Sequence, residues 1–422
     1  RRAFARRFAF IYCSVRMIQF LHMQPRQVLW LGNFFSAAHF FLIIYIVGPY
    51  LETLIGVAGA GLVITMGAVI TLLIFPIMPR LVAKRGAKRI AIALAFFQAV
   101  VLTILAGSPS AGIAIACVAL ACATSPLLAY QLDLLLEATV KEEGSTGRVR
   151  TAFMTVGSLA LVLAPLMVGL LLDGTNRYDL VFFAAAVSLT PFIMLFLVER
   201  IPEGLPPRGS KIAAVFTCMW GDRDFRAVAF SYGLLQVFFH LAPLYIPIYL
   251  HTVLGMPWDQ LGWMFAIMVL PFVFLEYPAG YLADRYFGDR LLLVAGFIIM
   301  GLAFAAFTFV DAATPLVVIL AILVLTRIGA ALAEAMVEGH FFRRVSERDP
   351  NTVSVFRMMR PGGALVAPLL GSIFLILGGY SMLFFVLGLA IAFAGTVMGL
   401  RVQDTRYPGR ENLVPVLTTK PS

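Results

Sequence analysis

The stretch GYLADRYFGDR at residues 280–290 is a short polar break between two long apolar runs, at about 257–283 and 290–310. It holds two aspartates and two arginines in a chain of which only 13% of residues are charged. Each flanking run has about 20 residues or more, which is the length that a helix needs to cross a bilayer. We therefore predict two membrane-spanning helices joined by a tight, charged turn at the membrane surface.

The rest of the chain has the same pattern. Of its 422 residues, 61% are hydrophobic, whereas a soluble domain carries about 25% charged residues and far less apolar surface. Backbone groups in lipid must bond within their own segment, so long apolar runs are helices. The alternating polarity of a membrane barrel is absent from these runs. We predict an all-α membrane protein.

Turn signals divide the chain into twelve predicted spans. The longest break contains IPEGLPP at residues 201–207 and indicates a linker between the sixth and seventh spans. The spans are predicted at about 27–50, 55–79, 87–107, 111–137, 150–173, 178–199, 225–250, 257–283, 290–310, 314–342, 352–376 and 380–401.

The basic residues indicate the orientation of these spans. Thirty of the 32 lysines and arginines lie on one side, in the two terminal segments, in the loops of that side and in the helix turns next to them. Arg177 alone lies in a loop of the other side, and Arg327 lies within a span. Cytoplasmic loops are enriched in basic residues, so we predict a multi-pass protein of the cell membrane with both termini in the cytoplasm. The net charge of +10 is explained in this way and does not indicate nucleic-acid binding.

The two halves of the chain resemble each other. YLETLIG at residues 50–56 is similar to YLHTVLG at 249–255, and three further matches follow in order, with offsets between 199 and 203 residues. Six spans per repeat give two halves of the same orientation, that is, parallel repeats. The predicted units are a basic N-terminal segment 1–26, a six-helix bundle 27–199, a linker 200–224, a second bundle 225–401 and a tail 402–422.

On these grounds the chain resembles the major facilitator superfamily, over about residues 27–401. The superfamily's loop pattern G-x-x-x-D-R-x-G-R-R is matched at 280–290 with one extra residue, whereas the first-half copy PRLVAKRGAKR at 79–89 lacks the aspartate and the first glycine. The resemblance implies two rocking six-helix bundles and secondary active transport of a small solute. It also implies gating roles for the loop residues Gly280, Asp284, Arg285, Gly288 and Arg290, and for Gly86, Lys88 and Arg89.

Two pairs of carboxylates end the fourth and tenth predicted spans with i, i+4 spacing, which places both members of a pair on one helix face. Basic residues follow each pair at the start of the next span. One interpretation is a set of ion pairs that closes the cytoplasmic side, and the other is static charge at the interface. The residues are Asp133, Glu137, Arg150, Glu334, Glu338 and Arg357.

Arg327 lies about twelve residues into the tenth predicted span, near the bilayer midplane. A bare cation at that depth costs several kcal/mol, so we expect it to face the cavity and to have an anionic partner. Glu276 and Glu334 are the candidate partners. Such a pair is either a coupling site for an anion or a proton, or a buried structural pair.

His39 and His240 lie in the middle of the first and seventh predicted spans, which line the cavity in the superfamily that the chain resembles. A histidine takes up protons near neutral pH, but a neutral imidazole bonded to a neighbouring helix is the alternative. Asn33, Gln236 and Tyr245 are either polar cavity contacts or helix-packing residues.

The sequence favours proton coupling, and APLMVG at residues 164–169 is similar to an antiporter motif, which favours efflux. A uniporter or an organic-anion exchanger centred on Arg327 is the alternative, and a membrane receptor or scaffold is an alternative of another class. No phosphate-binding loop, metal motif or nucleophile triad occurs. We expect no enzyme activity, cofactor or metal, and a monomer whose partners are its solute, a coupling ion and the bilayer.

Overall fold

The computed structural model describes residues 23–139, 146–202, 217, 220–344 and 355–403. Within these ranges the description omits the side chains of residues 137, 146–152, 276, 277, 284 and 342–344. The predicted site residues Glu137, Arg150, Glu276 and Asp284 therefore lie outside the described side chains.

The described part of the first half is entirely helical apart from short turns. A 3₁₀ turn, Phe75–Ile77, joins its second and third helices. The helices are α1 Pro25–Ile44, α2 Val47–Ile74, α3 Met78–Arg85, α4 Ala87–Ala106, α5 Ala111–Thr139, α6 Thr146–Leu171 and α7 Tyr178–Val198.

The second half follows the same order. Two π-helical turns, Tyr249–Val253 and Ala283–Phe287, and a 3₁₀ turn, Phe307–Phe309, extend its helices. The helices are α8 Arg223–Ile248, α9 Trp258–Met268, α10 Leu270–Phe274, α11 Glu276–Leu282, α12 Gly288–Ala306, α13 Leu316–Arg344 and α14 Met359–Gly399.

Among the described residues, nine helical segments are long and apolar enough to cross a membrane, and Trp258–Phe274 is a shorter apolar segment. Two of the nine contain glycines with non-helical backbone angles, Gly56 in α2 and Gly378 and Gly379 in α14. Gly56 and Gly379 have positive φ, which only glycine adopts at little cost. Each of these segments thus changes direction once, which is consistent with the twelve predicted spans.

The predicted span at 257–283 differs from the structure, which divides it into three short helices, α9 to α11. Pro271 lies in the first turn of α10, and Pro278 lies inside α11. Proline removes a backbone donor and clashes with the preceding turn, so it interrupts a helix at these points. The predicted span is therefore helical, but it is not one continuous helix.

The two halves pack closely near one end of the molecule, the end predicted to face outward. A Cβ added at Gly262 of α9 would lie 2.7 Å from the Cα of Gly169 in α6, so these two helices touch through their backbones. A Cβ added at Gly61 of α2 would lie 3.0 Å from the carbonyl oxygen of Pro368 in α14. Small residues at such crossings let membrane helices approach closely. We call this set of contacts the outer seal.

Hydrogen bonds reinforce the outer seal. The Thr252 hydroxyl donates to Glu52 Oε2 over 2.6 Å, and the Ser372 hydroxyl donates to the carbonyl of Ala58 over 3.3 Å. A ring nitrogen of His251 lies 3.1 Å from Asn176 Oδ1. Where both partners are fully described, every hydrogen bond between the halves lies in this region. The protein is thus closed at its predicted outer end.

Candidate functional site

Arg327 is buried within α13, with 3% of its surface exposed. It lies eleven residues after the start of α13. This distance is about 16 Å along the helix, which is close to the middle of a bilayer. Its guanidinium carbon lies 5.3 Å from the centre of the Phe238 ring of α8. Its other electrostatic neighbour is Tyr45, which follows α1 in the first half. Arg327 therefore lies between the two halves, below the outer seal.

The charge of Arg327 is not balanced by a described carboxylate. Among the side chains that the structure describes, none forms an ion pair with it, and this includes Glu334. Its Nε is buried and makes no hydrogen bond to a residue that the structure describes. A cation–π contact contributes about 2 kcal/mol when desolvated, which is less than the cost of a bare cation at this depth. An added anionic group could therefore bind to Arg327 and balance its charge.

The two predicted histidines have different surroundings. His39 is 1% exposed, and neither of its ring nitrogens makes a hydrogen bond of normal geometry to a described residue. His240 is half-buried, and its Nδ1 lies 2.7 Å from the carbonyl oxygen of Gln236 in the preceding turn. Unsatisfied polar atoms are rare in a folded interior, so His39 is the more unusual of the two.

The three other polar candidates make packing contacts. Asn33 donates through Nδ2 to the carbonyl of Phe153 over 2.8 Å, which joins α1 to α6. The Tyr245 hydroxyl donates to the carbonyl of Pro368 over 3.0 Å, within the outer seal. Gln236 is buried and packs directly against Gly363 of α14: a Cβ added at Gly363 would lie 2.6 Å from the Cβ of Gln236. These contacts correspond to the packing interpretation of each residue.

A cluster of charges joins α13 to the first turns of the predicted eleventh span. Arg357 donates to Glu338 Oε1 over 2.6 Å and to the Tyr232 hydroxyl over 3.0 Å. Arg360 donates through Nε to the same hydroxyl over 2.8 Å. Asp133 of the first half interacts electrostatically with both arginines. Of the predicted residues, Asp133, Glu338 and Arg357 thus meet at the end opposite the outer seal.

The loop residues have diverse surroundings. Arg285 donates to the Tyr281 hydroxyl over 2.8 Å and lies 5.8 Å from the centre of the Tyr286 ring. Lys88 donates to the carbonyl of Glu199 over 2.8 Å, which joins α4 to the end of α7.

The glycines of the two loops have different surroundings. Gly280 is partly buried and has open space where a Cβ would be. Gly86 and Gly288 have φ of 82° and 75°, and Arg89 and Arg290 are exposed.

One buried cluster is missing from the sequence predictions. His340 of α13 lies with Nε2 2.8 Å from Asp224 Oδ2 of α8 and with Nδ1 3.0 Å from Asp289 Oδ2 of α12. All three residues are at most 2% exposed. Each residue lies near a predicted helix end, but they are far apart in the chain and share no spacing. Their only signal in the sequence is that all three are ionisable.

Comparisons with known proteins support the fold. Residues 246–418 match the sequence model of the Major Facilitator Superfamily. A crystal structure of the nucleoside transporter NupG and one of a point mutant of NupG each superpose with a TM-score of 0.69 at 14% identity. They cover 89% of this chain, which in turn covers 99% and 98% of theirs. A sequence search of curated proteins gave no match. The resemblance to the major facilitator superfamily and the predicted fold class are confirmed.

Proposed function

We propose that this chain, which has the major facilitator fold, is a secondary transporter that moves a small organic anion by alternating access. The solute would bind between the halves, with its negatively charged group on Arg327. Fold alone does not determine function, so the proposal depends on the site rather than on the likeness to NupG.

The observation that carries the proposal is the buried charge of Arg327, which no side chain that the structure describes balances. Ionisable residues inside a membrane protein face a cavity and pair with another charge. Here the described neighbours are an aromatic ring and a tyrosine of the opposite half. A planar guanidinium binds a carboxylate through two parallel hydrogen bonds, so a carboxylate or similar group on the solute would supply the missing charge.

The contact pattern of the two halves supports alternating access. The outer seal depends on glycines and on a few hydrogen bonds, which a rocking motion separates without disrupting either bundle's interior. At the opposite end, Asp133 and the arginines Arg357 and Arg360 interact across the halves without a hydrogen bond. These charges would close the cytoplasmic side when the outer seal opens, which is the gating role predicted for them.

Proton coupling and efflux are part of the proposal. His39 and Glu334 are the candidate proton carriers. Glu334 lies seven residues after Arg327 on α13, and His39 lies six residues before Tyr45, the first-half neighbour of Arg327. The antiporter-like segment at 164–169 contains Gly169 of the outer seal. It would therefore act in closing the two halves and not by contacting solute.

The test is solute counterflow into liposomes that contain the purified chain. We expect a panel of small carboxylates to exchange, whereas uridine, which is neutral, would not. The Arg327→Met variant should reduce carboxylate exchange roughly 10- to 100-fold, because a hydrogen bond to a charged group contributes about 1.5–3 kcal/mol. Arg327→Lys should restore part of it. Arg177→Met, which removes an exposed arginine, should have no effect.

Other outcomes separate the alternatives. Exchange of uridine that is insensitive to Arg327→Met would refute the anion site while leaving a transporter. Solute binding without exchange would favour a receptor or scaffold. A pH gradient that drives uptake or efflux in the wild type, and fails to do so in Glu334→Gln or His39→Gln, would support proton coupling. A Glu276→Gln variant measures the contribution of the remaining predicted partner.

A further inference from the structure

A groove outside the candidate site lies between the start of α8 and the end of α14. Its volume is about 330 Å³, and its lining includes Trp220, Arg223, Arg226, Phe230, Met398 and Arg401. Arg223 is the first residue of α8, and Arg401 follows the end of α14. The groove is therefore at the membrane surface that is predicted to face the cytoplasm.

Three arginines converge on this groove without a described partner. Arg223 and Arg401 are exposed and Arg226 is half-buried. None of their three side chains makes a hydrogen bond or an ion pair with any residue that the structure describes. Two aspartates flank Arg223 in sequence. Asp222 accepts hydrogen bonds from the backbone N–H groups of Asp224 and Phe225, and the Asp224 carboxylate contacts His340. Three like charges at one groove repel each other, so the groove favours an anion.

The remaining lining is apolar and continues towards the bilayer. Phe230 is 49% exposed, and its ring centre lies 5.4 Å from that of Trp220. Phe230 is seven residues, about two turns, beyond Arg223 on the same face of α8. Tryptophan and arginine are typical of the membrane interface, where an apolar body and a polar group are both accommodated. A ligand here would have an anionic head and an apolar tail.

We propose that this groove binds an anionic phospholipid of the inner leaflet, with the phosphate on Arg223, Arg226 and Arg401 and an acyl chain along Phe230 and Met398. Arginine binds phosphate oxygens through two parallel hydrogen bonds, and basic pockets between membrane helices on the cytoplasmic side bind acidic headgroups. The apolar wall distinguishes a lipid from soluble phosphate, which would gain nothing from Phe230.

The test measures lipid binding to the purified full chain in detergent by native mass spectrometry. Phosphatidylglycerol should bind at least tenfold more tightly than phosphatidylcholine of the same chain length. The triple variant Arg223→Gln, Arg226→Gln, Arg401→Gln should lose this preference. A matched variant, Arg80→Gln, Lys84→Gln, Arg85→Gln, removes three exposed cations from the first half and should keep it.

Three outcomes would overturn the proposal: a triple variant that keeps the preference, a matched variant that loses it equally, or displacement of the lipid by millimolar inorganic phosphate or glycerol phosphate. The last would assign the groove to soluble phosphate. If the triple variant does not fold, as judged by size-exclusion chromatography, Arg401→Gln alone serves, since Arg401 lies beyond the helix end. We then expect about a threefold loss of preference, and no loss would contradict the site.

Discussion

The two halves of the molecule share a backbone plan but differ in what they bury. Gly86 and Gly288 begin equivalent helices and both have positive φ, 82° and 75°. At the same end, however, the first half buries Ala87 and Thr139, whereas the second half buries Asp289 and His340 at the corresponding positions. The fold therefore does not require these buried charges, since the first half forms without them.

The difference extends to the membrane interior. Arg327 of α13 corresponds to Pro126 of α5, and the charged loop at 280–290 corresponds to a first-half loop without its aspartate. The family match likewise covers the second half, at 246–418. We infer that the first half forms its helix bundle without the buried charged residues that the second half contains. Variants at paired positions of the two halves test this difference.

The largest effect is expected from His340→Leu. This change removes the imidazole whose nitrogens lie 2.8 Å from Asp224 Oδ2 and 3.0 Å from Asp289 Oδ2, while both carboxylates stay buried. Breaking a buried ion pair costs about 3–5 kcal/mol. The free energy of unfolding in mixed micelles, followed by circular dichroism during a denaturant titration, measures this cost.

Thr139→Val is the matched change in the first half. The Thr139 hydroxyl donates to the carbonyl of Leu136 in its own helix over 2.7 Å, so its loss should cost about 1 kcal/mol or less. At an offset of 201 residues, Asp224 corresponds to Met23. A triple variant with the first-half residues, Asp224→Met, Asp289→Ala and His340→Thr, should cost less than His340→Leu alone, because it removes both carboxylates together with the imidazole. A triple variant less stable than the single one would show that the cluster stabilises the second half.

Gly86 and Gly288, by contrast, should lose similar amounts of stability when each is replaced. Gly86→Ala and Gly288→Ala each place a side chain where φ is positive and ψ is extended, at 146° and 160°. That region is essentially restricted to glycine, and a strained residue there costs about 1–3 kcal/mol. The thermal unfolding midpoint of both variants should fall by a similar amount. A loss confined to Gly288→Ala would contradict the equivalence of the two loops.

Sequence reasoning recovered the helices because apolar length is a local property. The predicted spans at 87–107 and 178–199 agree closely with Ala87–Ala106 and Tyr178–Val198. It also singled out Glu338 and Arg357, because helical spacing and loop position are readable without a structure. Their roles as gates, like the coupling roles of His39, His240 and Arg327, stay predictions.

What sequence reasoning missed depends on contacts between distant segments. His340 and its two aspartates are 51 and 116 residues apart, and only the packing of α8, α12 and α13 brings them together. The partners of Arg327 were expected to be glutamates, since charge is visible in a sequence. The ring of Phe238 was not foreseen, because nothing local marks which aromatic residue of another helix will lie under a cation.

The smallest effect is expected from the tyrosines of the repeated segments at 50–56 and 249–255. Their rings have similar surroundings: Tyr50 lies edge-on to Phe182 at 5.0 Å, and Tyr249 lies edge-on to Phe384 at 5.3 Å. Their hydroxyls differ, because Tyr249 donates to the carbonyl of Val310 over 2.5 Å. The Tyr50 hydroxyl makes no hydrogen bond to a residue that the structure describes.

Tyr249→Phe should therefore cost about 1 kcal/mol, the net value of one hydrogen bond, and leave the carbonyl of Val310 to water at the membrane surface. Tyr50→Phe should change stability by less than about 0.5 kcal/mol, as is usual for changes that remove no contact. Both rings stay in place, so the pair isolates the hydroxyl. Equal losses in the unfolding free energy would mean that Tyr50 also has a partner, and that the halves differ less at this end than at the end where His340 lies.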